Sequence, residues 1–224
     1  MSHVPDFSIA VAHLPALLQG AAVTLGVSLA SIVAGLGVGM AVCLCRISRR
    51  RPLAWAARAF ISALRGIPIL VLLLIVFYML PLAGIELPPV AAAIIALSLN
   101  SGAFQAEIYR GGFASIPPGQ AEAARALGMG EGRILRRILI PQVLVRVLPS
   151  LVNELIMLLK NSSLTSAITV VELLRASQQV VAATYRPTEI YLTAALLYVV
   201  MSTGLSALGG MVRARLAGRG RVTA

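Results

Sequence analysis

Glu107, Glu154 and Lys160 are ionisable residues set inside long runs of Ala, Leu, Val and Ile, and Asn100 and Asn161 lie in the same runs. At the centre of a bilayer a charge costs roughly 2.5–3.5 kcal/mol on insertion scales, so each needs a partner or a watery path. Helical spacing groups them. Asn100 and Glu107 are seven residues apart and share a face, as do Glu154 and Asn161, and Asn153 and Lys160. The chemistry open to such a set is the passage of a polar solute. Bond-making chemistry finds little support: the only histidines, His3 and His13, lie near the N-terminus, and no nucleophile–base set accompanies them. Cys43 and Cys45 are too close for a routine disulfide and have no His or carboxylate beside them to complete a metal site. Lys160 is the only lysine and follows Leu-Leu, so a phosphate-cradling Walker A loop has no candidate. Two readings of the polar set stay open. In one, Asn100, Glu107, Glu154, Lys160 and Asn161 line or border a translocation path. In the other, Glu107 bonds to Arg110 near an interface and Lys160 snorkels to the headgroups.

The elements that must position these residues are transmembrane helices. The chain is 58% hydrophobic and 12% charged, with a mean hydropathy of +0.90; a soluble domain carries about 25% charged residues. A crossing needs about 20 apolar residues. Five segments qualify, at about 21–45, 60–82, 89–108, 148–171 and 190–212, within a single domain, 1–224. Residues 7–20 read as a short interfacial helix, with Pro15 and Gly20 arguing against a sixth crossing. No basic n-region precedes a short apolar core, so no removable signal peptide is expected.

The net charge of +11 invites a nucleic-acid reading, but the arginines cluster at the ends of apolar runs. Arg46, Arg49, Arg50, Arg51, Arg58 and Arg65 lie between the first two crossings. Arg110, Arg125, Arg133, Arg136, Arg137 and Arg146 lie between the third and fourth, and Arg213, Arg215, Arg219 and Arg221 follow the fifth. Only Arg175, Arg186 and Lys160 fall elsewhere. The positive-inside rule then gives an all-α integral membrane protein with five transmembrane helices, N-out/C-in. Its partner is the lipid bilayer, and no nucleic acid is expected.

The longest cytoplasmic loop, about 111–146, opens after Pro117-Pro118-Gly119. A short alanine-rich helix over Gln120–Leu127 ends at Gly128, where a left-handed cap is inexpensive. Glu122 falls in its first turn. A second helix over about 131–140 carries an apolar stripe opposite Arg133, Arg136 and Arg137 and can lie along the membrane surface. Spacing alone leaves this loop either as a connector or as a helix shaped for a groove on another protein. Arg65-Gly66-Ile67-Pro68 is equally open. It reads as a hinge or tight contact, because Pro68 removes a helix bond, or as packing beside a snorkelling arginine. Gly35-x-x-x-Gly39 reads as close helix packing.

The run Glu122-Ala123-Ala124-Arg125-Ala126-Leu127-Gly128, followed by Ile140-Pro141-Gln142, resembles the EAA loop of ABC importer permeases. The stretches "GAAVTLGVSLASIVAGLGVG" (20–39), "LRGIPILVLL" (64–73), "LNSGAFQAEIYRGGFASIPPGQAEAARALG" (99–128), "LPSLVNELIMLLKNSSL" (148–164) and "YRPTEIYLTAALLY" (185–198) are similar to the polar amino acid uptake family, over about residues 15–205. Departures are Ile67 where Thr is usual, Asn161 where Asp is usual, and no acidic–basic pair around Met211–Arg213. The resemblance implies a type I ABC importer permease fold in a bacterial cytoplasmic membrane. It also implies a second permease chain, identical or similar, two ATP-binding subunits and an outer solute-binding protein. ATP and Mg would then sit on the ATPase, and this chain, which is not expected to be an enzyme, would hold no cofactor. By the same resemblance Gln120, Glu122, Ala123, Ala124, Arg125, Leu127 and Gly128 form the coupling surface for a polar amino acid or opine importer. A free-standing channel or ion-driven transporter and a membrane enzyme are the other classes; the first leaves the loop without a role, and the second lacks a catalytic set.

Overall fold

The computed structural model describes residues 6–220, with side chains through Arg215, and contains no strand among the described residues. His3, Arg221 and the Arg219 side chain lie outside the described residues. The first described elements are one helical turn, α1 (Ser8–Ala12), and then α2 (Leu14–Arg46). The interfacial helix expected over 7–20 is therefore not a separate element. Pro15 falls in the first turn of α2, where its missing N–H leaves no bond unmade, so it starts the helix rather than ending it.

The second crossing, expected as one run over 60–82, is broken. α3 (Arg51–Gly66) and α4 (Ile69–Met79) meet at 105°. Ile67, preceding proline, is extended (φ −86°, ψ 129°), as the proline ring demands. Hydrophobicity alone does not register this break. At about 16 Å, α4 alone is too short to cross a core of about 30 Å, and the bent pair has the form of a broken span or a re-entrant loop. α2, α5 (Pro89–Ala114), the run Glu131–Ile168 and the run Pro187–Arg215 are each long and apolar enough to span.

The loop after α5 holds α6 (Pro118–Ala126) and α7 (Glu131–Ile134). The surface helix expected over 131–140 does not stand alone. It passes through a π turn, Leu135–Leu139, into α8 (Ile140–Asn161), and a 3₁₀ stretch continues to Ile168. Pro141 cannot donate to the Arg137 carbonyl, and the widened turn lies immediately before it. α9 (Leu173–Thr184) is not expected from the sequence, and α10 (Pro187–Gly220) is the last described element.

α5 is the axis of the bundle, with Ala92, Ala93, Ala96, Ala103 and Ala106 fully buried. It runs parallel to α2 at close range: a Cβ built on Gly39 would lie 2.7 Å from the Gln105 Cβ and 3.0 Å from the Gly102 carbonyl oxygen. Gly35 and Gly39 are thus packing residues, as their spacing indicates. Lipid tails are as apolar as leucine, so this close approach of small residues, rather than transfer out of water, holds the helices together. One core, around Leu73, Ala96, Leu97 and Ile168, fills the end away from the arginines. A second, around Cys43, Ile61, Tyr109 and Val147, fills the arginine-rich end.

Candidate functional site

At the arginine-rich end α6 stops in a Schellman turn. Gly128 adopts φ +76°, its N–H donates to the Arg125 carbonyl at 2.9 Å, and Met129 N–H donates to the Ala124 carbonyl at 3.1 Å. α6 starts at Pro118, two residues before the predicted start, so Glu122 sits in the second turn and not the first. Gln120, Glu122, Ala123, Arg125, Leu127 and Gly128 are exposed, whereas Ala124 is buried against the chain. Leu127 is 84% exposed, a large apolar side chain left without cover in this chain. Two side-chain pairs brace the loop. Arg125 donates twice to the Glu131 carboxylate, at 2.6 and 3.3 Å, and Gln142 Nε2 donates to Gln120 Oε1 at 2.7 Å. The first raises the Arg125 pKa further above its ordinary value. The second ties the start of α6 to the start of α8. These partners, Glu131 and Gln142, are legible in sequence only once the two helices are known to fold back on each other.

The polar membrane residues divide into separate groups. Asn100 Nδ2 donates to the Leu64 carbonyl at 3.0 Å. That carbonyl is the one whose helical partner would be the N–H of residue 68, and proline has none. Asn100 and the Arg65-Gly66-Ile67-Pro68 break are therefore one structural unit, and the Arg65 guanidinium lies 5.0 Å from the Phe104 ring centroid. Glu107 pairs with Arg110 at 2.8 Å, the second of the two readings open to it. Glu154 crosses from α8 to α5, accepting from Ser101 Oγ at 2.8 Å, and Ser101 accepts from Gln105 Nε2 at 2.8 Å. Spacing pointed to neither Ser101 nor Gln105, because small polar residues in an apolar helix look like packing residues. Lys160 stays exposed, on a stripe of α8 with Arg146, Asn153 and Met157, while Asn161 is half-buried at the end of the helix. The structure thus brings Glu154 beside the Asn100 region and leaves Glu107 and Lys160 apart from it.

The far end is closed by buried carboxylates that composition gave no reason to single out. Glu172 caps α9, accepting from the Leu174 and Arg175 N–H groups, both at 2.8 Å, and from the Tyr198 hydroxyl of α10 at 2.9 Å. Leu173 N–H donates to Thr24 Oγ1 of α2 at 3.1 Å. Burial pushes the Glu172 carboxyl above its ordinary range, partly offset by these donors. Glu189, also buried, meets Arg186 at 3.4 Å. Among the described residues no group of three or more His, Cys, Asp or Glu is placed to hold a metal.

A helical bundle around a central α5, with runs apolar and long enough to span a bilayer and a short braced helix at its arginine-rich end, has the architecture of an integral membrane protein. The chain belongs to the family described as binding-protein-dependent transport system inner membrane component, whose model matches residues 31–218. It is 39% identical over 212 residues to the arginine transport system permease protein ArtQ of Bacillus subtilis (strain 168), covering 94% of this chain and 97% of that one. It is 34% identical to the glutamine transport system permease protein GlnP of Escherichia coli (strain K12), covering 90% and 93%. The octopine transport system permease protein OccM of Rhizobium meliloti is 39% identical, covering 84% and 80%. Among solved structures, the crystal structure of an amino acid ABC transporter with histidines superposes with a TM-score of 0.87 at 35% identity, over 95% of this chain and all of that chain. The type I importer permease fold and the place of this chain as an ABC importer permease follow.

Proposed function

We propose that this chain forms, with a second permease chain, the path by which a polar amino acid or a related compound such as an opine enters the cytoplasm. An outer solute-binding protein delivers the substrate, and two ATP-binding subunits dock at α6. The observation that carries this reading is the α6 surface itself. Gln120, Glu122, Ala123, Arg125 and Leu127 face outward on a short helix with too little apolar area for a core of its own, and Gly128 turns the chain back at once. The named relatives that carry arginine, glutamine and octopine support the substrate class. The exposed stripe Arg146, Asn153, Met157 and Lys160 on a spanning helix supports a second chain or a watery path against α8. Arginine clustering supports a cytoplasmic placement of the α6 end.

Co-purification with an ATP-binding subunit, followed by uptake of a labelled basic or polar amino acid in vesicles, tests the reading. Uptake should require ATP inside and the binding protein outside. Transport by the purified chain alone would overturn it in favour of a free-standing carrier.

A further inference from the structure

The last turns of α2 and the first half of α3 form the walls of an open apolar groove of about 300 Å³, lined by Ala41, Val42, Cys45, Leu53, Ala56 and Phe60. Its lining side chains are apolar apart from the Cys45 thiol. The walls are joined by a tight turn, and Arg46, Arg49, Arg50 and Arg51 crowd into and around it. No acidic residue occurs anywhere from residue 14 to residue 85. Arg49 lies within electrostatic reach of Glu131, but no ion pair among the described residues involves Arg46, Arg50 or Arg51. Trp55, on the same helix, is 70% exposed, an aromatic of the kind that settles at a membrane–water interface.

We infer that this groove holds one acyl chain of an anionic phospholipid whose phosphate sits among Arg46, Arg50 and Arg51. An apolar slot ending in uncompensated guanidinium groups is complementary to an acyl chain that ends in a negative headgroup. A neutral lipid satisfies the slot and leaves the charges. A second copy of this chain, docked symmetrically on the same face, would set arginine against arginine. The inference rests on residence in a membrane and not on the transport reading, so the two stand or fall separately.

Trp55 is the only tryptophan in the chain but does not line the groove, so the reporter is Phe60→Trp in a Trp55→Phe background, which places the one indole in the slot. This full-length reporter is reconstituted in vesicles over matched series of mole fractions of brominated phosphatidylglycerol or brominated phosphatidylcholine, and quenching of the residue-60 indole is read. Phosphatidylglycerol should quench at a several-fold lower mole fraction. In the triple variant Arg46→Gln, Arg50→Gln, Arg51→Gln the several-fold preference should collapse, leaving the two lipids equal. Ala41→Phe, which fills the slot from the α2 wall and leaves every arginine in place, should also abolish it. Equal quenching by the two lipids in the reporter protein overturns the site. So does quenching by neither, since protein would then cover the groove. Full preference in Ala41→Phe overturns it as well, because surface charge alone would then explain the effect. Circular dichroism and elution volume identify any variant that misfolds, and Arg46→Lys with Arg50→Lys and Arg51→Lys, which keeps the charge, should retain most of the preference.

Discussion

Asn100 supplies to the Leu64 carbonyl the hydrogen bond that Pro68 cannot, at 3.0 Å, from a helix 36 residues away in sequence. The break between α3 and α4 is thus paired with a donor on α5, which explains how a 105° bend survives inside a membrane bundle. Removing the donor leaves a carbonyl unserved in an apolar setting, at a cost of about 1–3 kcal/mol. Asn100→Asp and Asn100→Ala should both destabilise the purified protein by that order in denaturant or thermal unfolding. Pro68→Ala restores an N–H at the right position, so in the Asn100→Ala background it should recover part of the loss. Strictly additive effects of the two substitutions would show that the pairing is incidental.

Gly128 holds the Schellman turn at φ +76°, a conformation costing a residue with a Cβ roughly 1–2 kcal/mol. Nothing crowds a side chain there, so the penalty is one of backbone conformation and not of space. Gly128→Ala should weaken ATP-driven uptake, and Gly128→Asp should abolish it, while either variant still reaches the membrane at wild-type levels. Vesicle uptake and a membrane-fraction immunoblot check both statements. Normal uptake in Gly128→Asp would remove α6 from the coupling assignment.

Much of this was legible in the sequence because it follows from patterns that act locally. Gly35 and Gly39 lie four residues apart and so face one neighbour, and Gly128 sits just past the end of an alanine-rich helix. Apolar length located the four helical runs that are long enough to span. Where the reading failed, the cause was a long-range pairing or a missing donor. Pro68 breaks a run that hydropathy joins, Pro15 starts a long helix although in sequence it argues against a crossing there, and α9 falls between two long apolar segments, where apolar length marks no helix. Asn100 was grouped with Glu107 by helical spacing, yet its partner is a carbonyl on another helix. No periodicity within α5 could have named it.

Glu154 offers a way to separate fold from passage. Its carboxylate accepts from Ser101 Oγ at 2.8 Å, and an amide oxygen can accept in the same way. Glu154→Gln should therefore keep the α5–α8 contact and fold normally, whereas Glu154→Leu should lose about 0.5–1.5 kcal/mol of stability along with that bond. If the charge belongs to the path, Glu154→Gln alters the relative uptake of cationic and neutral amino acids without lowering the amount of folded protein. An unchanged preference across Glu154→Gln, Asn153→Ala and Lys160→Met would take these residues off the path.

Burial of the Glu172 carboxyl makes stability depend on pH. Burial raises its carboxyl pKa in the folded protein above the unfolded value, despite the Leu174, Arg175 and Tyr198 donors. The folded state therefore holds the proton more tightly than the unfolded chain. The cost of burying the ionised carboxylate is fully present above the folded pKa and is relieved as pH falls through it, with no further gain below the unfolded pKa. Glu172→Gln carries no titrating group and serves as the reference, since every other group titrates alike in the two proteins. The melting temperature of the wild type relative to Glu172→Gln should rise on acidification from about pH 8 to about pH 5. A difference that falls over that interval would mean the cap, joining α2, α9 and α10, holds Glu172 as a stabilised anion, and the assigned balance between burial and hydrogen bonding would be reversed.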